Sequence, residues 1–66
     1  MTQMKRGLEP GDRVLIRGDH PWAGHTGEFV RVDRLHVTDE FGLLIHLDNG
    51  RECYVMEPRH LERIEI

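Results

Sequence analysis

The chain contains one cysteine, Cys53, so no disulfide can form within it. Small secreted domains are commonly stapled by several. Without that support the 66 residues have to be held by a core alone, and a reducing compartment, most simply the cytoplasm, is the expectation. No apolar run approaches the ~20 residues of a membrane helix, and the opening MTQMKRGLEPGD lacks the apolar stretch of a signal peptide. Basic residues are not in excess: 9 Lys and Arg stand against 12 Asp and Glu, for a net charge of -3. A bulk field of that sign opposes nucleic acid and leaves only a local patch to grip phosphates. Aromatics are scarce, and no segment keeps a helical period over three turns. Repeats and low-complexity tracts are missing too, which sets aside solenoids and disordered linkers.

What remains is a series of short β-type runs between turn signals. Glu9-Pro10-Gly11-Asp12 reads as a turn, which places a flexible N-terminal segment over residues 1–8 and one folded domain over 9–66. Arg13 to Arg17 is a strand, with Val14 and Ile16 on one face and Arg13, Leu15 and Arg17 on the other. Gly18, Pro21, Gly24 and Gly27 then break the chain too often for a regular element, so this stretch is a long loop. A second strand runs from Glu28 to about His36. Residues 37–41 connect it to a third, Gly42 to Leu47. Asp48-Asn49-Gly50 is a hairpin signal, because an Asn-Gly pair supplies positive φ values. A fourth strand covers Arg51 to Met56, a short 3-10 turn starts at Pro58, and Leu61 to Ile66 is the last strand. Val14, Ile16, Leu43, Ile45, Val55 and Leu61 are the expected core.

Five short strands at this spacing predict a small all-β barrel, since closure removes the exposed edges of an open sheet. The order of strands, long loop, tight hairpin and 3-10 turn resembles the SH3-like barrel. Within it, Gly11-Asp12-Arg13-Val14-Leu15-Ile16 followed by Gly24-His25-Thr26-Gly27-Glu28-Phe29-Val30 looks like the KOW motif. That motif enters a strand through Gly-Asp-x-Val, loops to Gly-x-x-Gly, and places an apolar residue two positions on. Gly11, Asp12, Val14, Gly24, Gly27 and Phe29 hold those positions. The resemblance implies a binding module. KOW proteins of ribosomes and transcription complexes contact nucleic acid, often through basic residues in the long loop. Here that loop carries Asp19, His20, Pro21 and Trp22 and no lysine. Other SH3-like barrels of this size are docking subunits of larger assemblies.

The loop therefore holds the leading candidates. Trp22 has two uses open to it: a lid that fills out an undersized core, or an exposed anchor for a partner. His20 and His25 flank it, with Arg17 at the rim. The histidines and the lone cysteine do not repeat at metal-ligand spacings, so no metal site is expected. Cys53 beside Val55 reads as a small core residue rather than a nucleophile. Arg13, Arg17, Arg31 and Arg34 lie on the first two strands, with Lys5 and Arg6 just before them, and several share one phosphate-binding face if those strands pair, although Asp12, Asp19, Glu28 and Asp33 lie close by in sequence and make a mixed, neutral surface the plainer expectation. Leu61, Ile64 and Ile66 either close the barrel or mediate self-association.

The expectation is a non-enzymatic binding module without cofactor, metal or membrane anchor. A protein partner is favoured, as for a docking or accessory subunit, and nucleic acid is the alternative. The binding residues are Trp22, His20, His25, Arg17, Arg13 and Arg31.

Overall fold

Burial alternates along the first strand as the period-2 reading expects. Val14 and Ile16 are fully buried, while Arg13 and Leu15 are half-covered on the other side. The computed structural model describes residues 7–65 and contains five strands. These are β1 (Arg13–Ile16), β2 (Thr26–Leu35), β3 (Glu40–Leu47), β4 (Glu52–Val55) and β5 (Leu61–Arg63), with a one-turn 3-10 helix at Pro58–His60. All pairs are antiparallel, and the order is β4-β3-β2-β1-β5 in one sheet. The sheet is not closed: β4 and β5 remain its edges. Both edges nevertheless feed one core. Val55 of β4 and Leu61 of β5 meet Val14, Ile16, Phe29, Ile45 and Leu47 in a single cluster, so the sheet curls around it.

The flexible segment expected over residues 1–8 falls mostly outside the described residues, as does Ile66 of the last strand. Leu8, at the end of that segment, is partly buried against the core. The final strand stops at Arg63, three residues short of the expected end. Of the six expected core residues, five are buried and Leu43 packs half-buried on their margin. Phe29 and Leu47 complete the cluster.

The longest strand contains an irregularity that sets the faces of the sheet. Phe29 pairs with Ile45 and Arg31 with Leu44, so Val30 is an extra residue, a β-bulge. In an unbroken strand Phe29, Arg31 and Asp33 would share a face, and Arg31 would follow Phe29 on the inner side. The bulge turns Arg31 and Asp33 outward instead and puts Val32 on the inner side.

Two glycines are required by close approach or turn geometry. Gly27 is buried between β1 and β3, and a Cβ there would lie 2.5 Å from the His46 carbonyl oxygen and 2.9 Å from Leu47 Cα. The β3–β4 hairpin closes with the Gly50 N–H donating to Leu47 O (2.9 Å) and the Leu47 N–H to Arg51 O (2.7 Å). Gly50 has φ +93, but Asn49 does not share it, since Asp39 is the only described non-glycine with positive φ. The connection is thus a three-residue loop with a left-handed third residue, in place of positive φ at both Asn49 and Gly50. Asn49 contributes through its side chain, whose Oδ1 accepts the Arg51 N–H at 2.9 Å.

Ile45 is fully buried at the centre of the cluster, so Ile45→Ala should cost about 2–5 kcal/mol in chemical denaturation, enough to unfold much of so small a domain. Gly27→Ala, which adds a methyl where backbone already stands, should cost about 1–3 kcal/mol. An unchanged denaturation midpoint for either would contradict the packing described.

Candidate functional site

The β1–β2 loop folds back as two successive turns. The Ala23 N–H donates to His20 O (3.0 Å), and the His25 N–H to Trp22 O (3.1 Å). The loop closes where Gly24 N–H donates to Ile16 O (2.7 Å) and Ile16 N–H to His25 O (2.9 Å), which extends the β1–β2 ladder. Trp22 is placed between the turns and lies half-buried against the core cluster. The indole thus covers the core with part of its surface and keeps part accessible. His25 stands edge-on to the indole with ring centres 5.1 Å apart. His20 accepts the Trp22 backbone N–H at Nδ1, 3.1 Å away.

The loop also docks on the 3-10 turn. The Arg17 N–H donates to His60 O (2.8 Å), and Arg17 Nε donates to Arg59 O (3.3 Å). The His20 and His60 rings meet edge to face at 5.7 Å. Gly18 lets this happen, because a Cβ on it would sit 3.0 Å from His60 Cδ2. Four expected site residues, Arg17, His20, Trp22 and His25, are therefore brought together, and His60 joins them. Nothing in the local sequence pairs His60 with a loop some forty positions earlier; the contact follows from β5 returning to β1.

Arg13 and Arg31 lie elsewhere, on the outer face of the sheet. Arg13 makes a two-pronged bond to Asp48, with Nη1 donating to Oδ1 (2.8 Å) and Nη2 to Oδ2 (2.6 Å). The Thr26 hydroxyl donates to the same carboxylate at 2.5 Å. The Arg13 guanidinium, and after it the Thr26 hydroxyl, hold the Asp48 carboxyl well below the usual carboxylate range. Arg31 Nε donates to Asp33 Oδ1 at 2.9 Å, and Arg17 Nη1 is 3.5 Å from Glu62 Oε1. Each of these three arginines has a carboxylate partner; Lys5 and Arg6 lie outside the described residues. Of the acidic neighbours read from sequence, only Asp33 is one of these partners; Asp48 and Glu62 reach their arginines across the sheet. Glu28 and Glu52 lie in the same outer rows, opposite Arg13 and His46.

The outer face has a second cluster that sequence reading missed. Leu44 is 95 % covered although it points away from the core. Its row contains Arg31 and Tyr54. The Tyr54 hydroxyl donates to Asp33 Oδ2 at 2.7 Å, with its ring over Gly42, where a Cβ would be 2.9 Å from Tyr54 Cδ1. The Tyr54 bond, then that of Arg31, lowers the Asp33 pKa, and the bond to Asp33 raises that of Tyr54.

Large apolar side chains also stand uncovered on the outer half of the β2–β3 hairpin. Val37 at its tip is 98 % exposed, Phe41 64 % and Val32 53 %. Val37 and Phe41 belong to the stretch expected only to connect the second and third strands, and Phe41 lies within β3. Cys53 is half-buried at the core margin, and burial raises its thiol pKa. Among the described residues no three His, Cys, Asp or Glu side chains converge to hold a metal ion, and no helix is long and apolar enough to cross a membrane.

A folded-state phenol pKa that is raised adds stability fully present below the ordinary value, about 10, and lost as pH rises through the folded value. Tyr54 is the only tyrosine, so an absorbance titration reads it alone. Its midpoint should lie above about 10 and fall toward that value in Asp33→Asn. A midpoint indifferent to Asp33 would refute the bond. Comparison of the chain with models of protein families, with curated proteins and with solved structures finds no match, so the role of these surfaces has to be argued from their own geometry.

Proposed function

We propose that the chain is a non-enzymatic binding module of the SH3-like barrel type, which docks on a protein partner as an accessory subunit of a larger assembly. The observation that carries this reading is the distribution of exposed groups. Arg13, Arg17 and Arg31 are paired with Asp48, Glu62 and Asp33, while Val32, Val37 and Phe41 are exposed and Trp22 is half-covered. A phosphate backbone is gripped by cations free to replace its counterions. Protein interfaces instead favour aromatic anchors and arginine at a polar rim. The Trp22 loop has that composition, with Arg17, His20 and His25 around the indole. Strand order, the long first loop and the 3-10 turn before β5 support the SH3-like assignment.

The KOW resemblance of residues 11–30 favours a second reading, nucleic-acid binding. It is supported by Gly27, whose position in the motif coincides with a place where no side chain fits. That requirement is equally met by any barrel with this backbone, so it supports the fold more than the ligand.

Two labelled probes, a mixed-sequence single-stranded RNA and a DNA duplex, should show no binding at about 0.15 M salt. A complex that weakens steeply with salt, and further in Arg13→Ala and Arg31→Ala, would establish the nucleic-acid reading instead. For a protein partner recovered by crosslinking, Trp22→Ala should weaken the complex by about 2 kcal/mol or more, measured on the folded fraction. Lost stability with unchanged binding would reduce Trp22 to a lid.

A further inference from the structure

The Trp22 loop is held by a bond that a proton can break. His20 Nδ1 accepts the Trp22 backbone N–H at 3.1 Å in a part-buried position. An imidazole nitrogen accepts only while it carries no proton, and imidazolium is a donor at both nitrogens. Protonated His20 would turn a second N–H toward the Trp22 amide. The same ring lies 5.7 Å from that of His60, so two groups of one chemical type face each other across the loop and the 3-10 turn.

The other charged groups nearby do not form a counterion cage. From the end of β1, Arg17 adds a cation, anchored on Arg59 O. The 3-10 turn contributes Arg59 as well as His60. Glu62 of β5 is engaged with Arg17 at 3.5 Å. Within the loop, Asp19 precedes His20, and His25 stacks edge-on against Trp22. Glu62 and, at the start of the 3-10 turn, Glu57 are thus engaged with Arg17 and Arg59 rather than with the His20 ring.

We propose that His20 is a proton-operated latch on this loop. With His20 neutral, its Nδ1 fastens the Trp22 amide and the indole rests on the core. With His20 protonated, the bond is lost, two N–H groups face each other where one bond stood, and the loop lifts to expose the indole. This regulates the docking surface and rests on that reading for its biological use, but the latch itself belongs to the free protein.

Trp22 is the only tryptophan, so its fluorescence reports on the loop directly. Between about pH 8 and about pH 5, where imidazoles titrate, the emission maximum of the free protein should move a few nanometres to longer wavelength, with the far-ultraviolet circular dichroism unchanged. Wavelength is the readout because a protonated His25 beside the indole alters intensity without exposing it. In His20→Asn, whose Oδ1 accepts the same N–H but does not titrate, the maximum should stay at short wavelength throughout. In the unsubstituted protein the Trp22 amide resonance should shift with the same midpoint as the His20 ring. A His20→Asn protein that shifts like the parent, or a Trp22 amide indifferent to the His20 titration, overturns the latch. A partner complex indifferent to Trp22→Ala would remove the docking reading and leave these free-protein results standing.

Discussion

The extra residue at Val30 allows one strand to work in two settings. Before it, β2 lies between β1 and β3, with Gly27 and Phe29 directed into the core. Beyond it, β2 pairs with β3 alone. The bulge puts Val32, in place of Arg31, on the inner side opposite the half-buried Leu43. It also delivers Asp33 to the outer face, where Tyr54 and Arg31 bond to it. Register in a sheet with one buried face is all-or-none, so the outer cluster and the inner core both depend on this single insertion.

The surface divides by chemistry. Where β1, β2 and β3 are joined, arginines and carboxylates neutralise one another across strands, and exposed pairs of that kind contribute little to stability. They do bear on what the face can bind, since the charge of a guanidinium held at 2.6 Å by Asp48 is already offset by that carboxylate. The long loop and the β2–β3 hairpin instead present apolar and aromatic groups. Loops held by a rigid sheet are where binding residues tend to lie, and both of these contain backbone hydrogen bonds of their own.

Much of the architecture was legible because it is local. Val14 and Ile16 share one face of a run bounded by Arg13 and Arg17, Gly18, Pro21 and Gly24 break the chain into a loop, and Gly50 marks its turn. The burial of Leu44 was not legible, since a core of Leu43 and Ile45 leaves Leu44 on the outer face, and its neighbours there, Arg31 and Tyr54, are known only from the register. Likewise the bulge is hidden in Phe29-Val30, two apolar residues that a strict alternation would split. At the candidate site, sequence found the loop and its Trp22 because composition is concentrated there. It missed His60 and Asp48, whose partners are far along the chain. The acidic neutralisation of the arginines was foreseen in kind but mostly assigned to the wrong carboxylates, for the same reason.

The sheet order also governs how such a chain comes together. β2, β3 and β4 are joined through short connections and each pairs with its neighbour in sequence. β1 is different, because its outer edge is completed only by β5, where Val14 meets Arg63 and Ile16 meets Leu61. Contacts between distant positions have to meet the entropy of closing the chain before they return any energy. The meander of β2, β3 and β4 is thus the natural early structure, and the pairing of β1 with β5 the closing step. Until Leu61–Arg63 has been synthesised and returned, β1 has an open edge carrying the two most apolar positions of its strand. A short polar strand at that end acts as the clasp of the whole core, although it buries only one residue of its own.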